Sequence, residues 1–238
     1  MLQEEKRSRS ALFVTLTFNT EFVPITENGF MTLCKREFQL FMKRLRKNSR
    51  KDEKVSYFAC GEYGSRNWRP HYHAIIFNTS REIVERSWQR GDIHVGQVSG
   101  ASIAYTLKYM NKGKLIPVHQ NDDRVPEFSL MSKGLGSNYL TDEIKRYYKN
   151  DLSRAYVTNP DGVKIALPRY YKNKIYTENE QKEQAFICKR AAEEADRIAR
   201  VEYSFVNGSE AGYEDQVESG QRSRYFRHRK QGLENRKL

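Results

Sequence analysis

The chain has 238 residues and a formal net charge of +12, from 42 lysines and arginines against 30 aspartates and glutamates. This length can bury a core without disulfides, the three cysteines lack paired spacing, and no apolar run approaches the roughly 20 residues of a membrane span. The basic balance therefore indicates a polyanionic partner, most often a nucleic acid, and no membrane.

Short strands and helices alternate in the first half of the chain. Residues 12–18 are β-branched and aromatic, which predicts a buried strand, and residues 30–47 repeat with the period of an amphipathic helix. Further strands and helices are predicted, in chain order, at residues 55–60, 71–77, 80–90, 93–98 and 101–112. The order β-α-β-β-α-β predicts an α+β fold, with a central antiparallel sheet of ferredoxin-like or split βαβ topology. In that topology the first and third strands form the central pair.

Beyond residue 120 we predict an accessory segment, residues 121–205, packed on a core of residues 1–120. The turn Asn159–Gly162 lies between two short apolar runs and predicts a hairpin. A capping box from Thr177 to Glu180 opens a helix that reaches about Val201. Residues 206–238 are predicted to form a mobile charged tail, since the final stretch is strongly basic and the stretch before it is acidic.

Two histidines alternate with a tyrosine on the predicted third strand. His71 and His73 are two residues apart, so both imidazoles point to one face of the sheet, roughly 6.6 Å apart along the strand. Two neutral imidazoles at that separation can chelate one divalent ion. The alternative is a pair of unrelated surface histidines, which a central position in the sheet disfavours.

Glu62 is the candidate for a third metal ligand. It follows the second strand, and the turn-rich connection Gly64–Pro70 would bring it near His71 in a hairpin. Nitrogen and oxygen ligands together favour Mn²⁺ or Mg²⁺ with retained waters over a closed structural zinc site. The alternative is a solvated carboxylate at the end of the strand.

A doubled Tyr-x-x-Lys pattern marks the helix that follows the fourth strand. Tyr105 and Tyr109 are four residues apart, so both phenols project to one side, and Lys108 and Lys112 form an adjacent stripe. A phenol is a poor nucleophile until a cation or a base stabilises its phenolate. The alternative is tyrosines in core packing and lysines on a solvated face.

Together these motifs resemble those of a known family. The strand of residues 12–18, the segment from Gly61 through His71-Tyr72-His73, and the Tyr105/Tyr109 pair occur in the order and spacing of HUH endonucleases. Most nearly, the chain resembles rolling-circle replication initiators of small single-stranded DNA phages, the Microviridae and gokushovirus-like phages. Residues 128–136 and 167–171 also look like segments of that group.

The resemblance implies an HUH endonuclease fold and a two-tyrosine mechanism. It implies that His71, His73 and Glu62 hold a metal, and that one tyrosine forms a 5′-phosphotyrosine and frees a 3′-OH that primes a host polymerase. The other tyrosine would cut the regenerated origin, so that a circle can be closed. Host helicase and DNA polymerase are the implied partners, and the cytoplasm of the infected bacterium is the implied location.

Single-stranded origin DNA would need phosphate contacts and stacking faces along the chain. The basic helix of residues 35–47 carries Lys43 and Arg44, and Lys133 stands beside Gly134. Arg69 and Trp68 precede the histidine strand, where Trp68 would stack on a base or pack in the core. Two other readings remain: an HUH transposase or relaxase, and a non-catalytic single-stranded nucleic-acid-binding module, because RNA-recognition domains share this layout.

Overall fold

An antiparallel sheet of five strands forms the centre of the first of two compact units, Met1–Tyr139, in a computed structural model of the chain. In chain order the strands are β1 (Ala11–Thr17), β2 (Ser56–Tyr63), β3 (Pro70–Phe77), β4 (Ile93–Gln97) and β5 (Phe128–Met131). Their spatial order is β4-β1-β3-β2-β5. The predicted α+β class is confirmed, as is the inner position of the first and third strands.

The structure describes residues 1–50, 52, 54–111, 116–158 and 162–234. For Leu2 and for residues 108–111 and 227–234 it describes the backbone alone. Within these ranges no helix combines the length and the apolar character that crossing a bilayer requires.

Four α-helices accompany the sheet. They are α1 (Leu2–Glu5), α2 (Lys35–Asn48), α3 (Arg81–Ser87) and α4 (Gly100–Asn111). Helix α2 begins five residues later than predicted, because the preceding backbone is used elsewhere. Ile25 and Met31 form a β-bridge, and the Leu33 N–H donates to the Tyr63 hydroxyl.

The main core lies between α2 and one face of the sheet. Four apolar side chains of α2, spaced three or four residues apart, are buried there: Phe38, Phe41, Met42 and Leu45. From β3 they meet Tyr72, Ala74 and Ile76, which alternate along the strand and are fully buried. Burying each large apolar side chain contributes about 1.5–3 kcal/mol, so this face anchors the sheet.

The opposite face of β3 is divided between packing and polar chemistry. Ile75 and Phe77 pack with Ile103 of α4 in a smaller apolar cluster. Toward the other end of the strand, the same face carries His71 and His73. The period of two in β3 thus directs one set of residues into the core and the other set toward α4.

Gly91 lies where the chain passes close to the end of β1. Its φ is +155°, and a Cβ there would lie 2.5 Å from both the Asn19 nitrogen and the Thr17 oxygen. These are backbone atoms held by hydrogen bonds to Asp92 and Arg90 and cannot move aside cheaply. We expect Gly91→Ala to lower the free energy of unfolding by about 3 kcal/mol, measured by urea denaturation.

Gly96 provides a matched control for that substitution. It lies in the neighbouring strand β4, where the nearest atom to an added methyl group would be 3.8 Å away. Gly96→Ala should change the free energy of unfolding by no more than about 0.5 kcal/mol. Equal effects of the two substitutions would contradict the steric explanation.

The second unit, Leu140–Leu238, contains a two-stranded hairpin and four helices. The strands are β6 (Tyr156–Thr158) and β7 (Lys164–Ala166), and the helices are α5 (Asp142–Lys149), α6 (Arg169–Ile175), α7 (Glu178–Asn207) and α8 (Tyr213–Glu234). The predicted hairpin is confirmed, although residues 159–161 of its turn lie outside the described residues. The capping box at Thr177 is also confirmed, and α7 continues past Val201. Helix α8 lies within the predicted tail.

Candidate metal centre and nucleophile

Glu62, His71 and His73 lie side by side on one face of the sheet. In the register of β2 and β3, Glu62 is directly opposite His71, and His73 lies two residues further along β3. One donor atom from each side chain lies within 4.8 Å of the other two. The predicted set of ligands is therefore brought together, with Glu62 inside β2 rather than beyond its end.

A single carboxylate oxygen is the meeting point of the two imidazoles. The Nε2 atoms of His71 and His73 lie 3.0 Å and 2.7 Å from Oε1 of Glu62, which is buried. Burial alone would raise the pKa of Glu62, but hydrogen bonds from both imidazoles outweigh it and hold the pKa at about 2. The carboxylate is therefore ionised at any working pH and supplies negative charge to the group.

A backbone carbonyl fixes the ring of His71. Its Nδ1–H donates to the Arg69 oxygen at 3.1 Å, which leaves Nε2 directed at Glu62. Burial alone would lower the pKa of His71, but the hydrogen bond and the charge of Glu62 raise it above its ordinary value. A bound cation would take the place of the Nε2 proton on this side of the group.

Thr15 and Phe13 of β1 hold the ring of His73. The Thr15 Oγ1 lies 2.9 Å from Nδ1, and Phe13 stacks parallel to the ring with centroids 5.6 Å apart. With Nε2–H donating to Glu62, Nδ1 accepts the threonine proton. When Nε2 serves as a metal ligand, the neutral ring carries its proton on Nδ1 and donates to the same hydroxyl. A threonine satisfies both arrangements.

The donor set fits a divalent metal ion. Two imidazole nitrogens and one ionised carboxylate converge, and each imidazole has a partner on Nδ1 that directs Nε2 inward. This buried Glu/His/His group can hold a metal ion. The same partners make the group rigid before any ion binds.

Thr15→Val tests the support of His73 without changing the volume of the side chain. Loss of the Nδ1 partner should weaken Mn²⁺ binding by about 10- to 100-fold, measured by titration calorimetry. Thr17→Val is the control, because Thr17 lies on the same strand and face but bonds to the Asp92 carbonyl. Equal affinities for the two variants would contradict a supporting role for Thr15.

Tyr105 is the tyrosine that the structure places at this group. Its hydroxyl donates to the same Oε1 of Glu62 at 2.9 Å, and its ring meets the His73 ring edge-on at 5.1 Å. Burial of the hydroxyl, the charge of Glu62 and the hydrogen bond to it raise the pKa of the phenol. The hydroxyl thus stays protonated and oriented, while 39% of the side chain is exposed.

The other members of the Tyr/Lys pattern are described less fully. Lys108 and Tyr109 lie on the described backbone of α4, but their side chains are outside the described residues, and all of Lys112 is outside them. A second phenol at this group and the charges of the two lysines therefore stay predictions.

The residues predicted to bind DNA lie in three places. Trp68 and Arg69 belong to the β2–β3 loop beside the group, where the Arg69 guanidinium donates to the Phe18 oxygen at 2.7 Å. Lys43 and Arg44 belong to α2 on the opposite face of the sheet, and Arg44 donates to the Ser87 oxygen at 2.8 Å. Lys133 follows β5 near the end of β2 that is remote from Glu62.

This separation has a simple physical cause. The helical period of α2 predicts which side chains point away from its apolar stripe, but it does not predict which face of the sheet the stripe will cover. The sequence analysis also missed Thr15 and Phe13. The alternation of residues along β1 puts both on one face, which was the available signal, but only the pairing of β1 with β3 brings them to His73.

The amino-terminal half of the chain matches a protein family. Residues 11–114 match the family model of the replication-associated protein ORF2, and this range contains Thr15, Glu62, His71, His73 and Tyr105. The chain is related to phage replication-associated proteins. The predicted resemblance is thereby confirmed.

Three relatives bear similar descriptions. Replication-associated protein ORF2 of Spiroplasma virus 4 is 28% identical over 70% of this chain and 58% of its own length. Replication-associated protein VP4 of Bdellovibrio phage phiMH2K is 27% identical, over 68% and 56%. Replication-associated protein ORF4 of Chlamydia phage 1 is 23% identical, over 57% and 39%. The chain thus spans less than two thirds of each of these relatives, and no solved structure matches it.

Proposed function

We propose that the chain is a site-specific nickase and ligase of single-stranded DNA that initiates rolling-circle replication. One observation carries this proposal: the Tyr105 hydroxyl and the imidazoles of His71 and His73 all contact one oxygen of Glu62. A nucleophile held against a set of metal ligands is the arrangement that cleavage of a phosphodiester requires. The family match to replication-associated proteins supports the same function.

Tyr105 is the proposed nucleophile. Its phenolate oxygen would bond to phosphorus while the bond from phosphorus to the 3′ oxygen breaks. The products are a 5′-phosphotyrosine and a 3′ oxygen that takes up a proton and primes a polymerase. One phosphate ester replaces another, so the bond energy is kept for the later joining step and no nucleotide cofactor is needed.

Glu62 would orient the phenol rather than remove its proton. A carboxylate with a pKa of about 2 is a weak base toward a phenol whose pKa is raised. Activation therefore requires positive charge near the phenol oxygen, for which Lys108 and Lys112 are the proposed side chains. A divalent ion on Glu62, His71 and His73, proposed to be Mn²⁺ or Mg²⁺, would polarise the scissile phosphate and neutralise its charge.

Tyr109 is the proposed second nucleophile. It lies four residues after Tyr105 in α4, so one helical turn separates the two positions. After one round of replication it would cut the regenerated origin, and the freed 3′-OH would attack the first phosphotyrosine to close a circle. Host helicase and polymerase are the proposed partners, in the cytoplasm of the infected bacterium.

Formation of a covalent adduct tests this function. Labelled single-stranded DNA carrying the replication origin of the encoding genome is incubated with the protein and Mn²⁺ and then separated in SDS. We expect an adduct with the wild type, none after chelation with EDTA, and none with His71→Ala. His94→Ala is the control, because His94 is an exposed histidine of β4 opposite Thr15 and outside the ligand group.

The same assay separates the alternatives. Wild-type protein that binds the DNA but never forms an adduct would favour a non-catalytic binding module and overturn the proposal. Cleavage at a transfer origin or a transposon end, but not at a replication origin, would favour a relaxase or a transposase.

A further inference from the structure

The loop between β2 and β3 is built directly onto the ligand group. Glu62 pairs with His71 and Tyr63 with Pro70, so residues 64–69 close the ends of the strands that carry the three ligands. The Arg69 carbonyl accepts both the Gly64 N–H, at 3.0 Å, and the Nδ1–H of His71. A side chain presented by this loop therefore stands beside the site of the proposed cleavage.

Trp68 occupies an unfavourable backbone conformation in this loop. Its φ is +51°, in the left-handed region that favours glycine and that bulky residues rarely adopt. The residue is nevertheless 36% exposed, whereas Trp88, in the core, is 4% exposed. A large apolar side chain that is both strained and exposed is poorly explained by packing, and such strain concentrates at functional sites.

A buried ion pair supports the indole ring. The Arg124 guanidinium lies 4.5 Å from the centre of the Trp68 ring and covers one face of it. Two hydrogen bonds to Asp122, from Nε at 2.8 Å and Nη2 at 2.9 Å, fix the plane of the guanidinium. The same guanidinium also contacts the rings of Tyr63 and Phe30, each 5.4 Å away. The ring is thus held in one place before any ligand arrives.

We infer that Trp68 is a stacking platform for an unpaired nucleobase next to the scissile phosphate, with Asp122 and Arg124 as the residues that position it. This inference rests on the proposed function of the adjacent ligand group. A base within a duplex has both faces covered by its neighbours, so a preformed aromatic platform selects single-stranded or extruded DNA. The platform contributes to positioning of the strand, and the phosphate chemistry stays with the ligand group and Tyr105.

Tryptophan fluorescence tests the contact directly. Single-stranded oligodeoxythymidylate is titrated into the wild type and into Trp68→Phe, in which Trp88 is the remaining tryptophan. Stacking should quench the emission of the wild type and leave that of Trp68→Phe unchanged. A duplex of the same thymidine strand with its complement should leave both unchanged. Anisotropy of a separately labelled oligonucleotide records binding independently of Trp68.

Trp68→Gly separates a binding role from a structural one. Glycine accepts the positive φ, so the thermal midpoint should be unchanged or higher, while affinity for the oligonucleotide should fall about tenfold. Phe22→Ala is the matched control, because Phe22 is 38% exposed and has the Arg90 guanidinium over its ring. We expect that control to keep the affinity of the wild type.

The two readouts distinguish failure of this inference from failure of the proposed function. Binding by anisotropy without quenching of Trp68 overturns the platform and leaves the proposed nickase intact. An affinity of Trp68→Gly equal to that of the wild type also overturns it. No binding of single-stranded DNA by either readout overturns both proposals.

Discussion

Glu62→Gln should form no detectable covalent adduct with origin DNA. Glutamine keeps the shape of the side chain but removes the charge that faces His71, His73 and Tyr105. Metal-assisted charge stabilisation contributes several kcal/mol, so the rate of adduct formation should fall about a thousandfold or more. The rate is measured by quenching timed reactions in SDS, and Mn²⁺ affinity is measured in parallel by calorimetry.

Glu37→Gln is the control for that change in charge. Glu37 is a half-buried carboxylate of α2, on the other face of the sheet, and it pairs with Arg90. The variant changes the net charge by the same amount and should form adduct at nearly the wild-type rate. If Glu62→Gln kept its Mn²⁺ affinity and its adduct, Glu62 would not be the third ligand.

Substitution of both tyrosines should eliminate the adduct, whereas either single substitution should not. In Tyr105→Phe and in Tyr109→Phe one phenol remains, so each should retain part of the cleavage activity but fail to produce closed circles. Joining requires a second cut while the first phosphotyrosine persists, which one phenol alone cannot provide. The assay follows labelled linear, covalently attached and circular DNA on one denaturing gel.

Tyr57→Phe is the control for loss of a phenol. Tyr57 lies on β2 but packs against Phe38 on the face that α2 covers. Full cleavage and full joining by either single variant of Tyr105 or Tyr109 would refute alternation between two tyrosines. Loss of all cleavage in Tyr105→Phe alone would instead assign the first attack to Tyr105 only.

The core strands were predictable because local patterns determine them. Phe38, Phe41 and Leu45 repeat with the helical period, and the apolar run that ends at Phe77 suits an inner strand. Strand β5 was not predictable in the same way. It is four residues long and exists because Phe128 to Met131 pair with β2, a partner far away in sequence. The first unit therefore extends to Tyr139, whereas the sequence places the boundary at residue 120.

The ligands were predictable because they are close in sequence. His71 and His73 share a strand, and Glu62 reaches them through a single hairpin, so a period of two and a short loop suffice. The supporting residues depend on contacts over long separations. Thr15 is 58 residues from His73, and Arg124 reaches Trp68 from a segment that sequence patterns left without structure.

The shared carbonyl of Arg69 makes the loop and His71 a single thermodynamic unit. Any change in the loop that moves this oxygen also changes the basicity and the orientation of a metal ligand. Binding free energies are reciprocal, so a strand that stabilises this loop must tighten the ion by the same factor by which the ion tightens the strand. Recognition of the substrate and readiness of the site to cut are thereby coupled through one hydrogen-bond acceptor.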